Sequence, residues 1–190
     1  MISFFNRGFK AFLFLALFVL VSPSAQAQEV KPVSIGVVDV QTVLQESKAG
    51  KDIQRQLDKK RKEYQKQISS KEENLRSAEQ EILSRKDKLS QDQLAEERQK
   101  FEKNVISAQK LVQQNKRSLE AGFAQALAGL RNDIRETISE VAKERKYAMV
   151  LSQESVIIAE KSMDITEDVI KKLDKRITSV KIDWSAGNDN

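Results

Sequence analysis

The sequence predicts an α+β chain that is mostly α: a long antiparallel coiled-coil helical hairpin on a small β-rich oligomerisation head. Three observations predict it. Residues 41–146 contain no proline, and their apolar residues recur as Leu57, Tyr64, Ile68, Leu75, Ile82 and Leu89, then as Leu94, Phe101, Val105, Val112, Leu119 and Phe123. Steps of seven and four keep one narrow stripe on one helix face, the pattern of a coiled coil. Lys88-Leu89-Ser90-Gln91-Asp92-Gln93 interrupts that stripe. Compact β-branched runs flank the helical region on both sides.

In chain order, residues 1–27 read as a secretory signal peptide. Arg7 and Lys10 open it, Ala11 to Val21 is an unbroken apolar core, and Ala25-Gln26-Ala27 is a small-x-small cleavage site marked by Ala25 and Ala27. The apolar core is short for a membrane span, so the mature chain from Gln28 is expected outside the cytoplasm. Val33 to Val40 then reads as a strand, with Asp39 placed to cap a helix that starts near Gln41. Gly50 marks a bend near the start of that helix, or is a tolerated surface glycine.

The hairpin itself spans 41–146, with its turn near 89–91. Ser90 and Gln93 fit a capping box, and Asp92, Glu96 and Glu97 suit the positive end of a new helix. At ~1.5 Å per residue each arm is expected to reach roughly 70–85 Å. From Leu119 to Val141 the stripe is twice as dense and rich in small residues, among them Gly122 and Gly129. Those two glycines suit close packing, with a hinge as the alternative.

Beyond the hairpin, 147–151 and 155–159 read as the two strands of a β-hairpin. Asp164-Ile165-Thr166-Glu167 reads as a second capping box, opening a helix with Val169, Ile170, Leu173 and Ile177 on one face. Residues 181–190, including Trp184, read as a flexible tail. The strands are nearly continuous in apolar residues, yet the head (29–40 with 147–180) has only about 50 residues and no cysteine to staple it. A shared core between chains is therefore expected, formed by Val37, Val38, Met149, Val150, Leu151, Val156, Ile157 and Ile158. The alternative is a monomer whose helix bases cover the sheet.

Composition excludes several chemistries. The chain has no histidine and no cysteine, which removes the commonest general base, zinc ligand and thiol nucleophile. Gly50-Lys51 is followed by Asp52 rather than Ser or Thr, so no phosphate loop is present. The chain is not expected to be an enzyme, and no cofactor or metal is expected. Residues 41–146 hold 24 Lys and Arg against 18 Asp and Glu. The excess concentrates in Lys59, Lys60, Arg61 and Lys62, a solvated helix face or a surface for acidic chains and anionic lipid headgroups. After the signal only five aromatics remain, mostly on the stripe, so no stacking platform for nucleic acid is expected.

The order of parts carries a resemblance. A signal peptide, Ile35-Gly36-Val37-Val38-Asp39, and Ser47-Lys48-Ala49-Gly50-Lys51 opening a long helix come first. A Leu-Ser turn before an acidic second helix, Tyr147-Ala148-Met149-Val150-Leu151, and Asp164-Ile165-Thr166 opening the last helix follow. In that order the mature chain resembles the Skp/OmpH family of periplasmic chaperones. The resemblance implies a homotrimer with a β-rich body and three helical tentacles around a cavity for unfolded outer-membrane β-barrel proteins. It implies an ATP-independent holdase in the periplasm. A structural adapter coiled coil of the envelope, binding a folded partner through the hairpin tip, is the alternative.

Overall fold

The structure, a computed structural model, describes residues 33–185. The signal-peptide reading, with Ala25 and Ala27, lies outside the described residues.

Strand β1 (Ile35–Val38) leads directly into helix α1 (Val40–Glu46). Asp39 caps α1: its Oδ1 accepts from the Thr42 N–H at 2.9 Å and its Oδ2 from the Thr42 hydroxyl at 2.7 Å. These bonds, the Thr42 hydroxyl first, hold the Asp39 carboxyl below its ordinary pKa. Helix α2 (Lys48–Arg85) is separate from α1, because Ser47 leaves the helical region (φ −63°, ψ 152°) and caps a new start through Gly50 N–H. The expected single helix is thus two, and α2 with its 38 residues spans ~57 Å. Gly50 explains the corner: a Cβ there would lie 1.8 Å from the Leu44 carbonyl oxygen. The last turn of α1 folds back onto the first turn of α2 only if that position is bare.

A single 3₁₀ turn (Lys86–Lys88) and extended Leu89 close the hairpin. Helix α3 (Gln91–Arg145) begins with the expected capping box: Ser90 Oγ accepts from Gln93 N–H at 3.2 Å, and Gln93 Oε1 from Ser90 N–H at 3.0 Å. Its 55 residues run through Gly122 and Gly129 without a break in the helix. Gly122 is closely packed, whereas Gly129 meets nothing within 4 Å. Lys146 ends α3 in the left-handed region (φ 57°).

Strand β2 (Met149–Ser152) pairs in parallel with β1, in the register Ile35↔Met149 to Val38↔Ser152. The whole helical hairpin is the crossover between them. This corrects the expected β-hairpin. Residues 153–155 form a 3₁₀ turn, 156–160 have no strand partner among the described residues, and the neighbour of β2 is β1, delivered from the far end of the crossover. The other edge of β1 is met by Ile165, whose N–H donates to the Val37 carbonyl at 2.9 Å.

Helix α4 (Thr166–Arg176) lacks the expected capping box. Asp164 Oδ1 accepts from Thr166 N–H, only two residues on, and the Thr166 hydroxyl is engaged by Asp39 N–H at 3.0 Å. Val169 and Leu173 are fully buried on the apolar face of α4. Flanking that face, Arg176 bridges Glu136 and Glu140 of α3 at 3.1 and 3.0 Å, and Lys172 bridges Glu140 and Glu144.

The core gathers where these elements meet: Val38, Val43, Ile53, Leu130, Ile134, Ile165, Val169 and Leu173. The helix roots therefore cover much of the head within one chain. The tail reading is corrected too: Ile182 is buried and Val180 and Trp184 pack against the same core.

Asp39→Ala is expected to lower unfolding free energy by about 1 kcal/mol at pH 7, measured by urea titration. The native carboxyl titrates below its unfolded value, so its contribution is present above that value and fades as pH falls through the native pKa. The difference between the two chains should shrink below about pH 4.

Candidate functional site

Three surfaces could bind, and each follows from how the chain spends its apolar residues. Beyond the root, the hairpin has one stripe per helix. Tyr64, Ile68, Leu75 and Ile82 of α2 and Phe101 and Val105 of α3 are half-buried along the seam, whereas Val112 is exposed. The helices leave a cleft of about 500 Å³ just beyond the root, lined by Leu57, Tyr64, Ile68, Leu119 and Phe123. A smaller one of about 150 Å³ lies near the tip, beside Ile82, Leu89 and Phe101. Both clefts are open to solvent and lined partly by charged side chains, so the arm seam is less completely buried than the root. Leu83 and Ile106 turn outward instead, 64% and 63% exposed.

The second surface is basic. Lys59, Lys60, Arg61 and Lys62 are consecutive on α2, so ~100° of rotation separates each from the next and they do not share one face. Lys60 bridges Glu63 and lies 4.8 Å from the Tyr64 ring centre, and Arg61 sits 3.6 Å from Asp58. Lys59 and Lys62, three apart and exposed, have no ion pair among the described residues. The expected cluster is therefore a pair of available cations rather than four.

The third surface is the head. Val37 and Val38 are buried inside the chain, and Val150, Leu151 and Val156 are half-buried. Met149, Ile157 and Ile158 are exposed, the two isoleucines at 99% and 88%. The outer edge of β2 has no strand partner among the described residues. An open strand edge beside bare isoleucines leaves backbone groups and apolar surface without a partner among the described residues.

Among the described residues no group of three His, Cys, Asp or Glu could hold a metal ion, and no helix is long and apolar enough to cross a membrane. Sequence reasoning missed two features of the root. Asn115 and Ser118 are buried on the stripe between Val112 and Leu119, with the Ser118 Oγ 2.9 Å from the Tyr64 hydroxyl. The alternation Val180, Ile182, Trp184 was the available signal for a packed C-terminal segment.

A long helical hairpin with an incompletely filled seam, set on a small α+β head with an open strand edge, defines a coiled-coil binding protein. Residues 34–173 match the family model described as outer membrane protein (OmpH-like), and the chain belongs to that family. Among solved structures it is similar to a Caulobacter crescentus protein described as a candidate outer membrane chaperone (OmpH-like). That likeness has a TM-score of 0.76 at 21% identity, covering 80% of this chain and 90% of the other, and shows the fold. No curated protein gives a significant match.

The root and the arms should respond differently to truncation. Leu130→Ala, fully buried, is expected to cost about 3 kcal/mol, and half-buried Leu75→Ala about 1 kcal/mol, by urea unfolding of the same protein.

Proposed function

We propose that this chain is an ATP-independent periplasmic holdase for unfolded outer-membrane β-barrel proteins. The observation that carries the reading is the family match over residues 34–173. The surfaces support it. Strands of membrane barrels alternate apolar and polar residues and aggregate in water before insertion. Arms that offer Leu83, Ile106 and a half-open seam provide many weak apolar contacts over tens of ångströms rather than one pocket. Many weak contacts to one chain add as avidity and still let each segment go. Release then follows from the client folding elsewhere, with no nucleotide needed.

Several chains would act together, three by family resemblance, joined through the open edge of β2 and through Met149, Ile157 and Ile158. Val37 and Val38 support that edge from inside the protomer rather than crossing the interface. Lys59 and Lys62 would contribute weak attraction for acidic client segments or anionic headgroups. The signal peptide of 1–27 would deliver the chain to the periplasm.

Diluting a urea-unfolded barrel protein into buffer with residues 28–190 of this chain should suppress light scattering, saturating near three chains per client and unchanged by ATP. Undiminished aggregation across a molar excess would overturn the reading. Ile157→Asp together with Ile158→Asp should shift sedimentation toward the monomer while leaving helical content intact, because neither side chain is buried within the protomer.

A further inference from the structure

After α4 the chain does not leave the body but crosses the root of the hairpin as a strap, Ile177 to Ser185. Exposure along it alternates: Val180, Ile182 and Trp184 turn inward, whereas Lys181, Asp183 and Ser185 face solvent. A period of two is that of an extended segment with one apolar face. The helices hold it largely through its main chain. Val180 N–H donates to Asp52 Oδ2 at 3.1 Å, and the Val180 carbonyl accepts from Gln56 Nε2 at 2.7 Å. Four residues on, the Trp184 carbonyl accepts from Ser118 Oγ of α3.

The groove is shaped to admit a backbone. A Cβ on Gly122 would lie 2.9 Å from the Asp183 carbonyl oxygen, 3.1 Å from the Trp184 ring and 3.2 Å from an Ile182 methyl. Asp52 is buried in the groove wall and spends one carboxylate oxygen on the strap. The cleft of about 500 Å³ is a separate, unfilled part of the same inter-helix seam, lined by none of the residues that hold the strap, and Asn115, 7% exposed, lines it with an Nδ2 that has no hydrogen-bond partner among the described residues. A buried amide without an acceptor is costly, and Asn115 lies three residues from Ser118, on the same helix face. The carbonyl of a segment seated in the cleft would relieve it. Main-chain hydrogen bonds combined with sites for alternate side chains are the means by which proteins bind extended peptides of varied sequence.

We propose that the groove between the roots of α2 and α3 is a binding site for extended peptide segments with an apolar residue at every second position, and that the strap is its resident, displaceable occupant. The strap lies beyond residues 34–173 that match the family model. Tethered to α4, it competes at a high effective concentration, and only a segment already retained by contacts elsewhere displaces it. The proposal rests on the holdase reading for the identity of the natural client, an unfolded barrel strand, whose alternation the strap copies.

The test uses the full chain and two labelled peptides followed by fluorescence anisotropy. One has the sequence of residues 178–185; the other has the same composition with its apolar residues contiguous. Ile182→Asp frees the strap and leaves the groove open, so it should bind the first peptide at least about tenfold more tightly than the unsubstituted chain. Gly122→Leu evicts the strap and fills the groove, so it should show no such gain. A strap that only braces the fold would make the two variants behave alike. Equal binding by Ile182→Asp and the unsubstituted chain, or equal binding of both peptides, would overturn the proposal. Should Ile182→Asp lose helical content, Trp184→Ala removes one anchor more gently and carries the same expectation. Light scattering on the same samples separates the two readings. Suppression without the gain in peptide binding sinks the groove alone, and the gain without suppression sinks the holdase alone.

Discussion

Burial of Leu130 and Ile134 against Ile53, Val43, Val169 and Leu173 is the packing on which every other feature depends. A two-helix hairpin with one apolar stripe per arm buries too little to fix its own geometry. It becomes a directed arm only because its root is gripped on several sides, by α1, α4, the β-pair and the strap. The polar contacts sharpen that grip. Asp39 caps α1 while its N–H holds Thr166, so the start of α1 and the start of α4 are tied at one point. Arg176 and Lys172 then tie α4 down along α3 through Glu136, Glu140 and Glu144. Charge at these positions is exposed and individually weak; the apolar face beneath supplies most of the stability.

The consequence is a gradient along the molecule. Side chains at the root are fully buried, those on the arm seam are half-buried, and Leu83 and Ile106 are bare. Under the proposed holdase reading such a gradient would help to accommodate clients of different size, since a loosely filled seam can change its spacing at small cost.

What the sequence disclosed follows the range of the interactions. The stripe of seven and four, and the Ser90–Gln93 box, are local, and the hairpin and its turn were legible from them. The bend read at Gly50 lies three residues from the actual break at Ser47, whose full extent was not legible because its cause, the approach of Leu44 to Gly50, is a contact in space. The strand partner of β2 was misread for the same reason: two neighbouring apolar runs suggest a β-hairpin, whereas the true partner sits across the whole crossover. The strap was the opposite case. Its alternation was present in Val180, Ile182 and Trp184, but a short segment before a polar end lacks the length that distinguishes a strand from coil. The basic run was legible as charge but not as geometry, because helical rotation disperses consecutive residues and Asp58 and Glu63 engage two of the four cations.

The parallel pairing of β1 with β2 also constrains the order in which the chain can fold. The two strands flank the entire hairpin, so joining them in an unfolded chain means closing a loop of more than a hundred residues, an entropic penalty incurred before any contact compensates it. The Ser90 cap offers a cheaper route. If the turn forms first and the seam zips from tip to root, the strands arrive side by side as the last turns of the helices dock, and the loop to be closed is short. The tip, the least buried part of the finished molecule, would then be the first part of it to acquire structure.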